Sequence, residues 1–159
     1  MAIIALDILF VYAILIEVKG IKHMTYDKSN IEFIEFGVIQ QKLEKYSNNI
    51  KDLAESSKDN ANKKDAFVVV CRELGELIDD AKGIYFSAKK AKDENKFEQS
   101  KKLIIDCVEA QNVAYGHIIS CVEQENPMLA FRCDGIVMSN RDYIRRLSVE
   151  KIVKNEFSF

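Results

Sequence analysis

Few side chains in this sequence are of the types that run chemistry, and their spacing matters more than their number. His23 and His117 are the only histidines, and Cys71, Cys107, Cys121 and Cys133 the only cysteines. His117 and Cys121 stand four apart and would share a helix face, but two ligands do not make a zinc site. No two cysteines form a CxxC pair, and each has apolar neighbours, as in VVVC and IISCV. That pattern predicts four buried, reduced thiols in an intracellular protein. Di-iron bundles need Glu-x-x-His, and Ala114 stands where the glutamate would precede His117. No histidine follows Arg72 or Arg141 closely, so the Arg-to-His motif of helical ribonucleases is missing as well. Asp79 and Asp80 are adjacent and diverge by about 100° on a helix, so they make no acid pair. No GxxxxGK[ST], GxGxxG or GxSxG occurs. The expectation is a protein that is not an enzyme and needs neither cofactor nor metal.

What remains is charge. The net charge is −2, so no overall basic field draws the chain to nucleic acid or anionic lipid. Residues 88–102, AKKAKDENKFEQSKK, nevertheless hold six lysines and three acids. Residues 127–159 hold six basic side chains against four acidic ones. Arg141 and Arg145 are i and i+4 on a helix, with Arg146 beside them. If a polyanion is bound, the expected contacts are Lys89, Lys90, Lys92, Lys96, Arg141, Arg145 and Arg146. The alternative for each cluster is a solvated charged face. Whether the two clusters meet depends on helix lengths.

The elements that carry these residues read as helices. Phe36, Ile39, Leu43, Tyr46, Ile50 and Leu53 step by 3 and 4, a heptad seam. The pattern fades in AESSKDNANKK, where Ser, Asp and Asn compete with the helical backbone. Phe67, Val70, Leu74, Leu77, Ala81, Ile84 and Ala88 form a second seam, widened by Val68, Val69, Cys71, Ile78 and Tyr85. A third runs through Phe97, Ile104, Cys107, Val108, Gln111, Ala114, Tyr115, Ile118 and Val122. The fourth opens at ENPML, with Asn126 as cap and Pro127 in the first helical position. Met128, Phe131, Ile136, Val137, Tyr143, Ile144, Leu147 and Ile152 follow, with Gly135 in the middle. One proline and six glycines in 159 residues also favour long helices. The expected fold is all-α: an up-down-up-down antiparallel four-helix bundle over 31–159, with helices near 31–56, 64–92, 96–124 and 127–154. KDEN, the centre of the lysine-rich stretch, reads as the hairpin turn between the second and third.

An apolar extension, residues 1–24, precedes the bundle. Asp7 and Glu17 interrupt MAIIALDILFVYAILIEVKG, and the first lysine comes after the apolar run, unlike a signal peptide. Three readings stay open: a segment packed on the domain or a partner chain, a membrane anchor through residues 2–16, or an extension ahead of an internal start at Met24.

The stretch from ELGELIDDAKGIYF to HIISCVEQEN, followed by VMSNRDYIRRLSVEKI, resembles a group of small four-helix-bundle proteins. They are the accessory variability determinants of diversity-generating retroelements, the proteins encoded in ribosomal-RNA intervening sequences, and their relatives on mobile elements and phages. The shared features are Ile78, Ala81, Ile84 and Tyr85 late in the second helix and a polar loop. Small and apolar residues at Ile105, Cys107 and Ala110 follow, then a basic last helix. The likeness covers about residues 65–152. It implies a non-enzymatic bundle that oligomerises, often into a ring; retroelement members assist a reverse transcriptase and contact nucleic acid. Those members are basic, and this chain is not. The function expected is a cytoplasmic accessory or scaffold protein that associates with itself and with a reverse transcriptase or other protein, and contacts RNA or DNA. The alternatives are a membrane-anchored helical protein and a phage or mobile-element protein that inhibits a protein partner.

Overall fold

The computed structural model describes residues 28–153, the first eight of them as helix backbone only, so the expected extension 1–24 lies outside the described residues. The chain divides between Glu35 and Phe36, and the packing below is that of residues 36–153. Four helices make up an all-α bundle: Lys28–Glu55 (α1), Asn60–Ala91 (α2), Glu94–Val122 (α3) and Pro127–Ser148 (α4). No strand occurs among the described residues. The links are four, two and four residues long, which makes successive helices antiparallel.

Local chemistry sets the boundaries. Asp59, Asp93 and Asn126 cap the last three helices, their side chains accepting from the backbone N–H groups of Asn62, Lys96 and Leu129. The first break is narrower than AESSKDNANKK suggests, because the Asp59 cap lets the helix restart inside that stretch. At the hairpin turn Lys92 takes the left-handed conformation, φ 56° and ψ 35°. The Asp93 N–H donates to the Ala88 carbonyl at 3.0 Å, closing a Schellman-type end. α4 ends at Ser148, six residues short of the expected 154, because Glu150 is held by α2 and α3, as described below.

Every second-seam residue from Phe67 to Ala88 is buried, as are Phe97, Ile104, Cys107, Val108, Ala114, Ile118 and Val122 on α3. Among the described residues, α2–α3 and α3–α4 are the closest helix pairs. α1 joins through Ile39 and Ile50, which are buried, and through the half-buried Phe36, Leu43, Tyr46 and Leu53. The fourth seam is met in part. Val137 and Leu147 are buried, and Tyr143, Ile144 and Ile152 pack half-buried against the core, but Met128, Phe131 and Ile136 are exposed and Cys133 is buried in addition. Among the described residues α4 packs chiefly on α3, and one of its two apolar rows is buried there while the other is exposed.

A left-handed lysine costs roughly 1–2 kcal/mol that glycine avoids. Lys92→Gly is therefore expected to raise unfolding free energy by about 1 kcal/mol in urea titration, with helix content unchanged.

Candidate interaction surfaces

The two basic clusters come together at one end of the bundle. α3 and α4 run in opposite directions, so the residues after α4 return to the α2–α3 turn. There Glu150 is gripped three ways. Its carboxylate accepts from the Tyr85 hydroxyl and pairs with Lys89 at 3.5 Å, and its backbone carbonyl accepts from Lys101 Nζ at 2.9 Å. Lys101 is only 8 % exposed, and its ammonium also donates to Glu98 at 3.1 Å. The Phe97 ring centroid lies 5.4 Å from that ammonium, and Tyr85 stacks on the same ring at 4.8 Å. A buried ammonium is tolerated here because anionic and carbonyl oxygens replace its water. Sequence spacing held a signal for it: Lys101 lies four after Phe97 and three before Ile104, on the apolar seam itself.

The seven expected polyanion contacts fare differently. Lys89 is half-buried in its pair with Glu150. Asp142 holds both Arg145, at 3.0 Å, and Arg146, at 3.1 Å. Lys96 is half-buried, with its backbone N–H on the Asp93 cap. Lys90, Lys92 and Arg141 are exposed and form no ion pair among the described residues. Residues 89–101 and 141–151 together hold nine basic side chains against five acidic ones, so these two segments are positive although the chain is not.

Midway along the bundle a polar relay crosses three helices. Gln111 donates to the Cys71 carbonyl at 3.0 Å, and the Asn140 amide donates to Gln111 Oε1 at 3.2 Å and Asn112 Oδ1 at 2.8 Å. Such a relay fixes the level at which α2, α3 and α4 meet. His117 stacks on Phe67 with ring centroids 5.0 Å apart. Among the described residues no group of three or more His, Cys, Asp or Glu side chains is placed to hold a metal ion. No described helix is long and apolar enough to cross a membrane, and residues 2–16 lie outside the described part.

The third surface is the outer side of α4. Met128, Phe131 and Met138 are 66, 76 and 62 % exposed. They form an apolar row on the side away from Cys133 and Val137.

No protein-family model, curated protein or solved structure matches this chain.

Three of the four thiols are buried as expected, and Cys121 is half-buried. Burial pushes Cys71 and Cys107 up to about 12. Their folded values lie above the unfolded one, so the stability they contribute is complete below about pH 8.5 and is lost as pH rises towards 12. A thiol reagent at pH 8 is expected to label Cys121 first, and the rest only on unfolding. Urea midpoints should fall steadily between pH 9 and pH 12.

Proposed function

We propose that the protein is a non-enzymatic helical-bundle accessory or scaffold protein that works through its outer helix faces. It associates with itself and serves a larger assembly in the cytoplasm, such as the reverse transcriptase of a mobile element. The observation that carries this reading is the outer row of α4. Three large apolar side chains in heptad-like spacing, all more than 60 % exposed, are a costly thing to leave in water. A helix apolar on two opposite sides is suited to being covered on both.

The two positive segments support a second reading, contact with RNA or DNA. Tip lysines and α4 arginines share one end, held together by Glu150. Three of those cations already have carboxylate partners, so any binding rests chiefly on Lys90, Lys92 and Arg141 and is expected to be weak and salt-sensitive.

Light scattering on the full chain over a concentration series tests the first reading. The expected mass rises above the 18.2 kDa of one chain, whereas a single 18.2 kDa species at every concentration would overturn self-association. Filter binding to RNA and DNA across a salt series tests the second. Binding that falls with salt and with Lys90→Ala, Lys92→Ala and Arg141→Ala together is expected; no binding, or binding indifferent to both, would remove it.

A further inference from the structure

The outer row of α4 carries its own instructions for what covers it. Met128, Phe131 and Met138 occupy successive d- and a-type places of one heptad row, with Gly135 between Phe131 and Met138. A Cβ added at Gly135 meets nothing within 4 Å, so the packing of its own chain does not require a glycine there. Mid-helix glycine costs about 1 kcal/mol against alanine, and it opens room for another backbone to come close. Beyond Met138 the row reaches Asp142, which is occupied with Arg145 and Arg146. The apolar part is therefore three turns long, about 16 Å.

Charge selects the occupant. Arg132 and Asp134 are both exposed, and neither has an ion-pair partner among the described residues. Two positions apart on a helix, they point about 160° from each other and bracket the apolar row, one on each edge. The row thus has a cationic edge and an anionic edge. Two copies of α4 laid parallel across a two-fold axis bring the Arg132 edge of each against the Asp134 edge of the other. Laid antiparallel, they set arginine edge on arginine edge and aspartate edge on aspartate edge. We propose that the outer face of α4 is covered by α4 of a second copy of this chain, packed parallel, with the Phe131 side chains meeting on the axis and the Gly135 backbones at closest approach.

The inference rests on the self-association proposed above and adds its face and direction. At the exposures given, the three side chains present on the order of 400 Å² per copy. Burying two such rows with their rims reaches about 1,000 to 1,200 Å², the lower end of specific interfaces. The assembly is accordingly concentration-dependent.

Cysteine cross-linking of the full chain tests it. In a Cys121→Ser background the remaining native thiols are buried. Met128→Cys and Met138→Cys are then introduced separately at the two ends of the row. Parallel packing places each new thiol beside its own copy, so each variant alone should give covalent dimers under mild oxidation. A control at the exposed Val113 of α3 should not. Cross-links that appear only when the Met128→Cys and Met138→Cys chains are mixed would establish antiparallel packing and overturn the proposal. Self-association by light scattering without a cross-link from either position would also overturn it, while leaving the scaffold reading standing; a chain monomeric throughout would remove both. Arg132→Asp should weaken the dimer roughly threefold to tenfold, and adding Asp134→Arg should restore it. No recovery in that double variant would exclude the edge pairing.

Discussion

The bundle depends on how closely α2 and α3 lie against one another. Ala81 and Ala88 on α2 are seven residues apart, as are Ser100, Cys107 and Ala114 on α3, and none is more than 1 % exposed. These small side chains let the backbones approach, while Phe67 and Leu74, earlier in the same row of α2, and Phe97, Ile104 and Ile118 on α3 fill the remaining space. The contacts Tyr85–Phe97, Cys71–Gln111 and Phe67–His117 keep one antiparallel register from the turn to the far end. The buried hydroxyls of this seam are both used: Ser100 donates to the Phe97 carbonyl and Tyr85 to Glu150, and no buried side-chain polar atom among the described residues lacks a partner.

The rest of the molecule is hung on this hairpin. α4 docks on α3 through Val137, Leu147 and the Asn140 relay. Glu150 then ties the chain back to the turn, and that tie draws the arginines of α4 to the end where the tip lysines lie. Among the described residues α4 packs chiefly on α3, and one of its apolar rows is buried while the other is exposed.

The hairpin was legible in the sequence because its apolar positions keep one period for about six turns on α2 and about seven on α3, with KDEN between them. α4 was legible as a helix but not in its orientation. Its two apolar rows have the same spacing, and periodicity gives no means to decide which faces inward when the number of neighbours is unknown. The end of α4 was missed because what stops it is Glu150, whose partners Tyr85, Lys89 and Lys101 are 49 or more positions away. The place of Lys101 on the apolar seam, four after Phe97 and three before Ile104, sets it apart from the other lysines of its stretch. The meeting of the two basic clusters likewise depended on that distant tie.

Native-state hydrogen exchange tests most directly the claim that α2 and α3 form the spine. Their central amides, Leu74–Ala88 and Phe97–Ile118, should exchange only with global unfolding, and those of α1 from residue 36 onward should exchange sooner through partial opening. Amides of α1 as slow as those of α2 and α3, with all helices opening in one step, would contradict it.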